Sequence, residues 1–432
     1  CWRTILQFSL PVILSYLLQQ VYTISDAAIV GQTLTAQEVA GVNDTSSLVF
    51  IFLQFAFGVS AGFCVITSCC VGCRDQAGVR RSMASQLVLS AGLTVLLTAL
   101  ALVLLNPMLA WINVTPENPE VYRAAYTYCG IIFAGIGAQL FYNFICSFLR
   151  SMGDSVTPLL FLLGSTVLNV ALDLLFTLAL RCRKGHQKWE ILKKYRYAHR
   201  GYHDKPVIPE NSLPAFRRAI ERGFGAELDV HLLKDGTLAV FHDSDLRRCA
   251  NVEGEIEDLT LDELKQLRLE GTDEQIPTFD EVLALFEHAT PLIIELKTAR
   301  GNHKALAKAV CERLDSYQGE FCIESFDPFA LIDVKKFRPA ICRGQLSMNF
   351  EKDKSGLPWY KRFIAGNLLL NFLTVPDFIA YKFEDRSSYC LRSCVRVWGA
   401  QEVDWTIRTK EDMLACEAAG GIPIFERFDP EA

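Results

Sequence analysis

Charged residues are distributed very unevenly along this 432-residue chain, and the density changes near residue 180. The first 180 residues contain 14 charged side chains, about 8%, whereas the remaining 252 contain 78, about 31%. Soluble domains contain about 25% charged residues. A single soluble globule and a chain embedded throughout in a membrane are therefore both excluded. Disorder is also excluded, because apolar and aromatic residues are plentiful in both parts.

The segment before residue 180 has the composition of a membrane domain, because a spanning helix needs about 20 apolar residues. Five stretches are long and apolar enough: Ile5–Ile24, Leu48–Cys73, Gln86–Leu105, Tyr126–Leu149 and Thr157–Leu180. A cleaved signal peptide is a poor alternative, because the hydrophobicity recurs five times. We therefore predict a five-helix transmembrane segment and assign this domain to residues 1–182.

Several short motifs occur in order along this segment: Phe8-Ser-Leu-Pro11, Asp26 with Val30-Gly31, Gly58, Arg150-Ser-Met-Gly-Asp154 with Pro158, and Asn169…Asp173-Leu-Leu-Phe176. In this order they resemble the first five helices of the multidrug and toxin extrusion (MATE) transporter family. Transporters of this family consist of two similar halves, and the resemblance covers less than one of them. We therefore expect a truncated fragment. A cation-coupled multidrug exporter fragment is kept as an alternative function.

From Tyr195 onward, short apolar runs alternate with amphipathic stretches. The predicted strands are Tyr195–His199, Phe224–Val230, Pro291–Lys297, Phe321–Phe326, Ile341–Leu346, Phe378–Phe383, Val403–Ile407 and Ile422–Phe425. Strands that alternate with helices indicate a parallel sheet, and eight of them suit an α/β (β/α)8 TIM barrel. An open doubly wound sheet is the alternative, but no dinucleotide-binding or P-loop motif follows any predicted strand. We assign the barrel to residues 195–432 and a basic linker to residues 183–194.

One segment, Glu227–Asp243, is too short to contain a crossover helix. Its Asp235-Gly236 pair is a strong hairpin-turn signal. We therefore predict that the second strand continues out of the barrel, turns and returns, so that His242 lies opposite Asp229.

Polar side chains occur where three of these strands end. His199-Arg200-Gly201 ends the first strand, Glu227-x-Asp229 lies on the second, and Glu295-x-Lys297 ends the third. Residues two apart on a strand face the same way, and polar groups at the carboxyl ends of barrel strands are typically catalytic. Three converging carboxylates repel one another unless a cation joins them. Oxygen ligands alone favour one divalent cation, Ca²⁺ or Mg²⁺, over a soft metal.

This set of groups suits attack on a phosphodiester. A hard cation, Arg200 and Lys297 can neutralise the phosphoryl oxygens. Of the two histidines, His199 and His242, one can activate the nucleophile while the other protonates the leaving alcohol.

The barrel segment also resembles the glycerophosphodiester phosphodiesterase family, whose barrels are of the phospholipase C-like type. The motifs are His199-Arg200-Gly201, Pro209-Glu-Asn-Ser212, Glu227-Leu-Asp-Val230, Lys234-Asp-Gly236, His242-Asp243, Ile276–Leu283, Ile294-Glu-Leu-Lys297, Ser325-Phe326 and Trp405-Thr406. The resemblance implies metal-dependent hydrolysis of glycerophosphodiesters to sn-glycerol 3-phosphate and an alcohol.

By the family pattern, the metal ligands are Glu227, Asp229 and Glu295, and the acid–base pair is His199 and His242. Arg200 and Lys297 contact the phosphate. Trp405 is assigned to the substrate pocket, with a buried barrel aromatic as the alternative.

Two departures from the family pattern concern substrate selection. The family's W-T-x-N reads Trp405-Thr-Ile-Arg408 here, and its glycine-rich, Asp-containing finish is replaced by Ile422-Pro-Ile-Phe-Glu-Arg427. A lysophospholipase D-like activity on lipid phosphodiesters is therefore kept as a second enzymatic interpretation. The long stretch Asn349–Pro376 is interpreted as a lid or membrane-surface contact, with an extra helical hairpin as the alternative.

Signals for the location of the barrel conflict. Basic loops orient the five spans so that the chain emerges outside, whereas the basic cluster after Leu180 and the 15 dispersed cysteines favour a reducing cytoplasm. We predict a multi-pass membrane protein with a cytoplasmic barrel, and interpret the conflict as a junction of two gene fragments, with a natural membrane-tethered fusion as the second choice. The predicted partners of the protein are a lipid bilayer and a glycerophosphodiester substrate. Net charges of −2 and −4 in the two parts do not suggest a nucleic-acid partner.

Overall fold

The computed structural model describes residues 2–34, 36–352 and 356–431. The chain forms two compact units, divided between Leu174 and Leu175.

The first unit consists of helices. They are α1 (Trp2–Thr33), α2 (Ala36–Asp44), α3 (Ser46–Gly72), α4 (Gln76–Val103), α5 (Leu105–Trp111), α6 (Pro119–Ala134), α7 (Ile136–Ser151) and α8 (Val156–Ala179), the last of which extends into the second unit. Within the described residues, four segments are long and apolar enough to cross a membrane, and α6 with α7, bent by 44°, makes a fifth if the pair is one span. The predicted apolar helical segment is therefore confirmed.

A buried polar network joins α3 to α4. The side-chain amide of Gln86 donates hydrogen bonds to Thr67 Oγ1 at 2.6 Å and to Ser82 Oγ at 2.9 Å, and Cys64 Sγ lies 3.1 Å from Gln86 Oε1. In a bilayer the hydrophobic effect does not drive apolar helices together, so small side chains and hydrogen bonds between polar side chains hold them in contact.

The second unit is a closed barrel of eight parallel strands. The strands of the unit are β1 (Tyr197–Ala198), β2 (Gly225–Leu232), β3 (Leu238–Val240), β4 (Leu292–Leu296), β5 (Phe321–Ser325), β6 (Arg343–Ser347), β7 (Phe378–Lys382), β8 (Gln401–Ile407) and β9 (Ile422–Phe425). Closure follows because β1 pairs in parallel with both β2 and β9, whereas β3 pairs only with β2 and is antiparallel. The TIM barrel predicted from the alternating pattern is confirmed.

Helices connect and cover these strands. They are α9 (Trp189–Leu192), α10 (Leu213–Glu221), α11 (Arg247–Ala250), α12 (Leu261–Leu264), α13 (Phe279–Phe286), α14 (His303–Leu314), α15 (Pro328–Phe337), α16 (Trp359–Gly366), α17 (Asn371–Thr374), α18 (Tyr389–Arg396) and α19 (Lys410–Ala418), with 3-10 turns at Ile256–Asp258 and Phe383–Asp385. Thr260 and Thr278 begin α12 and α13 with capping boxes completed by Glu263 and Glu281.

The hairpin is present, but its predicted register was wrong by one residue. Val230 pairs with Val240, and the amide of Phe241 donates to the carbonyl of Asp229, so Phe241 rather than His242 lies opposite Asp229. The reason is the turn: Leu233 N–H bonds to the Thr237 carbonyl, which leaves a three-residue loop with Gly236 at a φ of +90°. A left-handed glycine is what such a loop requires.

Candidate active site

The predicted site residues converge at the carboxyl ends of the barrel strands. His199 and Arg200 follow β1, Glu227 and Asp229 lie on β2, and Glu295 lies on β4 in register with Asp229. Seven of the eight predicted residues line one cavity of about 260 Å³: His199, Arg200, Glu227, His242, Glu295, Lys297 and Trp405. The eighth, Asp229, is fully buried and is bridged to the others by Lys297.

Three of these carboxylates form a compact cluster. Glu227, Asp229 and Glu295 are all buried, and one oxygen from each lies within 4.8 Å of the others. The ammonium of Lys297 lies 3.1 Å from Asp229 Oδ1 and 2.9 Å from Glu295 Oε1. The cluster thus combines three acidic groups with one fixed cation at the mouth of the barrel.

Burial and mutual repulsion give these carboxyls unequal affinities for protons. Burial, followed by the negative charges of Asp229 and Glu295, holds the pKa of Glu227 well above its ordinary value. Burial opposes ionisation of Asp229 too, but the positive charges of Lys297, His242 and Arg200 together with a hydrogen bond from Asn211 outweigh it and keep the pKa of Asp229 well below the usual range. Such divergent pKa values within one cleft are typical of functional sites.

His199 is fixed by hydrogen bonding at one ring nitrogen. Its Nδ1 lies 2.8 Å from Oε2 of Glu426, the residue that follows β9, while its Nε2 lies 3.9 Å from Oε2 of Glu227. Burial lowers the pKa of His199 to about 4 even though the Glu426 carboxylate opposes the change. The imidazole is therefore neutral near pH 7 and can accept a proton at Nε2.

His242 is held from two directions. Its Nδ1 lies 2.5 Å from Oδ1 of Asp243, which also accepts a hydrogen bond from Arg248 at 2.5 Å. Behind it, His231 Nε2 lies 3.2 Å from the His242 carbonyl, and the other ring nitrogen of His231 bonds to Glu257 at 2.7 Å. His231 was not among the predicted site residues, and the structure places it as a support of the His242 loop.

The loop after β1 orients Arg200. Arg200 has a φ of +56°, an uncommon conformation for a residue with a side chain. Its backbone N–H donates to Glu227 Oε2 at 3.0 Å, and its guanidinium donates to Glu210 at 3.0 Å and lies 3.6 Å from Asp229. Asn211 donates to Asp229 at 2.8 Å. Glu210 and Asn211 thus belong to the shell around the carboxylates.

Two further carboxylates were missed from the sequence. Glu324 on β5 is in register with Glu295, lines the cavity and is 2% exposed, and its Oε2 has no hydrogen-bond partner among the described residues. Glu426 contacts His199, as described above. Glu426 directly follows a predicted strand, so the strand-end argument applied to that strand would have found it. Glu324 lies within β5, and finding it would have required knowing which residues of β5 point into the barrel.

An aromatic wall, formed by Phe326 and Trp405, lines part of the cavity. The Phe326 ring lies 5.6 Å from Trp405 and 6.2 Å from Phe350, in edge-to-face contacts. The indole N–H of Trp405 is buried and has no hydrogen-bond partner among the described residues. The cavity therefore has a charged side and an apolar side.

This geometry agrees with a family comparison. Residues 199–425 match the model of the glycerophosphoryl diester phosphodiesterase family, over more than half of the chain. The chain belongs to this family. A glycerophosphodiester phosphodiesterase of Caldanaerobacter subterraneus is 33% identical over 246 residues, which cover 53% of this chain and 92% of that protein. The second unit is thus a phosphodiesterase barrel, and the chain is an enzyme of the phosphoric diester hydrolase class.

One solved structure and one membrane relative complete the comparison. A phosphodiesterase of Oleispira antarctica, solved in complex with its product sn-glycerol 3-phosphate, is 26% identical and covers 54% of this chain and 92% of its own, with a TM-score of 0.44. Residues 11–175 match the MatE family model. A probable multidrug resistance protein of Bacillus subtilis is 29% identical over 171 residues, or 40% of this chain. The chain spans only 36% of the length of that relative.

Proposed function

We propose that the phosphodiesterase barrel hydrolyses glycerophosphodiesters to sn-glycerol 3-phosphate and an alcohol, with one divalent cation. The observation that carries the proposal is the cluster of Glu227, Asp229 and Glu295 beside Lys297. Buried like charges are costly unless a cation joins them, and the two adjoining cations, Lys297 and Arg200, leave the three carboxyls one positive charge short of balance.

The cluster fits Mg²⁺ or Ca²⁺. All three side chains offer oxygen atoms, which these hard cations prefer. A bound divalent ion supplies Lewis acidity, which polarises a phosphoryl oxygen. Arg200 and Lys297 border the same space, and we assign to them the remaining phosphate oxygens, because charge-assisted hydrogen bonds to phosphate are strong.

The two histidines are assigned the proton transfers. His199 donates from Nδ1 to Glu426, which leaves the lone pair of Nε2 available to remove a proton from the attacking hydroxyl group. His242 lines the same cavity and its ring is oriented by the contact with Asp243, so we assign to it the donation of a proton to the leaving alcohol. Trp405 and Phe326 line the same cavity and supply apolar contact surface to a substrate.

We also infer that the barrel is attached to a membrane and lies on the cytoplasmic side. The apolar helices of the first unit support membrane attachment. All 14 cysteines within the described residues are free thiols, as is usual in a reducing compartment. We retain residues 1–182, 183–194 and 195–432 as the proposed membrane segment, linker and catalytic domain.

A second substrate class is favoured by the aromatic wall. Phe326 and Trp405 line the cavity, and Phe350 packs behind Phe326; these rings offer apolar contact surface to the acyl chain of a lysophospholipid. Comparing alcohol release from glycerophosphocholine and from lysophosphatidylcholine separates the two substrate classes.

The experiment measures glycerol 3-phosphate release from glycerophosphocholine by the full-length chain. We expect His199→Ala and Glu227→Gln to lower the rate by at least about 10²-fold, and EDTA to abolish it until Mg²⁺ or Ca²⁺ is restored. His303→Ala is the matched control, because His303 pairs with Asp333 on the outer helices. Full activity of both site variants in EDTA would contradict the proposal.

A further inference from the structure

Helix α16 carries an exposed aromatic surface. None of its side chains is buried, and Trp359, Phe363 and Tyr360 are 71%, 52% and 47% exposed. At about 100° per residue, these three side chains fall on one face of the helix. Exposed apolar clusters of this kind mark interaction sites rather than ordinary surface.

The charges on α16 indicate what covers it. Lys361 and Arg362 lie between the aromatic residues in the sequence, and the helix itself contains no acidic residue. Lys361 is exposed, whereas Arg362 is half-buried and lies 3.4 Å from the carboxylate of Glu351. Tryptophan and tyrosine beside basic side chains favour the headgroup region of a bilayer, where the rings are half-dehydrated and the cations meet anionic lipid. A protein partner would instead be expected to bury the charges in salt bridges.

The helix is fixed at the catalytic end of the barrel. Ser347, the last residue of β6, donates from Oγ to the Ala365 carbonyl at 2.8 Å, and Tyr381 Oη donates to the Gly366 carbonyl at 3.0 Å. A surface that covers α16 therefore lies beside the same barrel end that carries the cavity.

The same side of the barrel receives the end of a candidate membrane span. Residues 175–179 complete α8, which is long and apolar enough to cross a membrane, and they belong to the barrel unit. There Phe176 lies 6.1 Å from Tyr389, in a hydrophobic cluster that also contains Leu368. Leu368 follows α16 by two residues, so within the barrel unit the last residues of this candidate span pack near that helix.

We propose that α16 lies in the surface of a lipid bilayer that contains anionic lipids. Trp359, Tyr360 and Phe363 enter the headgroup region, and the exposed Lys361 contacts lipid phosphates, with Arg362 adding positive charge beside it. Docking places the mouth of the barrel at the membrane surface, where phosphodiesters derived from lipids are released. The proposal concerns a binding surface and does not depend on which phosphodiester is hydrolysed.

Fluorescence quenching tests this directly. The full-length chain is placed in nanodiscs of phosphatidylcholine and phosphatidylglycerol, with and without brominated acyl chains. The chain has six tryptophans, so the contribution of Trp359 is taken as the difference between the wild type and Trp359→Phe. We expect that contribution to be blue-shifted and to lose about half of its intensity in brominated discs, as for a residue at the acyl boundary.

Two controls make the result decisive. A tryptophan introduced as Leu414→Trp, in the Trp359→Phe background, reports on another exposed position, on α19, and should not be quenched. Lys361→Glu with Arg362→Glu should reduce the quenching of Trp359, whereas Lys308→Glu on α14 should not. Solvent-like emission of Trp359 would overturn the proposal. A blue shift without quenching by bromine would also overturn it, because α16 would then be covered by protein, such as a second copy of the chain.

Discussion

The Nδ1 atom of His199 lies 2.8 Å from Oε2 of Glu426, and this hydrogen bond joins the ends of the first and last strands of the barrel. Because β1 and β9 are neighbours only in the closed barrel, the pair forms when the barrel closes. Glu426 is itself held by Arg408 at 2.9 Å. The neutral ring of His199 is thereby fixed in one tautomer with its Nε2 directed to the carboxylate cluster.

Replacing Glu426 tests this positioning role. We expect Glu426→Gln to lower kcat by about 10- to 100-fold with little change in KM, because the imidazole loses its fixed tautomer and the charge that stabilises its protonated form. In the wild type the Glu426 carboxylate raises the pKa of His199, so this pKa should fall further in the variant. The acidic limb of the rate profile should therefore shift to lower pH. Glu411→Gln, at the start of α19, serves as the exposed control. An unchanged kcat and an unchanged profile would show that Glu426 only supports the fold.

Metal binding should stabilise the barrel through the same carboxylates. We expect Mg²⁺ or Ca²⁺ to raise the Tm of the wild type, because an ion that binds only the folded state shifts the equilibrium toward it. In Asp229→Asn and Glu295→Gln this gain should largely disappear, while Glu253→Gln, an exposed substitution, should retain it. Thermal unfolding with and without EDTA measures the difference. An equal rise in the Tm of all four proteins would place the ion elsewhere.

Two polar atoms in the cavity, on Glu324 and Trp405, indicate a substrate with hydroxyl groups. The buried Oε2 of Glu324 lacks a donor and the buried Nε1 of Trp405 lacks an acceptor among the described residues, and both residues line the cavity. A hydroxyl group can satisfy either, so we expect Glu324→Leu to raise the KM for glycerophosphocholine by about tenfold. The KM for bis(p-nitrophenyl) phosphate, which has no hydroxyl group, should change little and serves as the control. Equal effects on both substrates would contradict a contact between Glu324 and a hydroxyl group.

Asp404 should make stability depend on pH. It is fully buried on β8, and burial, assisted by the charge of Glu402, raises its pKa to about 7. Its folded-state pKa exceeds the unfolded value, so the folded state binds more protons and stability falls as pH rises from about 4 to about 7.

We therefore expect Asp404→Asn to be more stable than the wild type at pH 8, by up to about 4 kcal/mol, with a smaller gain at pH 5. Arg386 retains Glu402 as its partner at 3.0 Å in the variant. Asp273→Asn, at an exposed position, is the control. Urea unfolding at the two pH values measures the effect, and a gain that does not depend on pH would rule out titration of Asp404 as its cause.

Much of the barrel could be predicted because its strands are short, apolar and separated by helices with clear caps. All eight predicted barrel strands are present, and the polar residues at their ends meet because carboxyl ends of parallel strands share one rim. Glu227, Asp229 and Glu295 could be grouped for this reason, without knowledge of long-range contacts.

Other features depended on contacts that a linear pattern does not contain. The hairpin register required the length of the turn at Gly236, and the partner of His199 required closure of β1 onto β9. The basic run after residue 180 also has a structural cause: Arg183 pairs with Asp377, Lys188 with Glu320 and Arg196 with Glu417. Several of those charges serve contacts with barrel carboxylates, which weakens the run as a signal of membrane orientation.

The most direct test of the central claim is the identity of the phosphorus-containing product. Phosphorus NMR of glycerophosphocholine incubated with the full-length chain and Mg²⁺ or Ca²⁺ should show sn-glycerol 3-phosphate appearing as the diester signal disappears. The same sample with His199→Ala should show only the diester. Formation of phosphocholine in place of glycerol 3-phosphate, or no hydrolysis with either ion, would contradict the account.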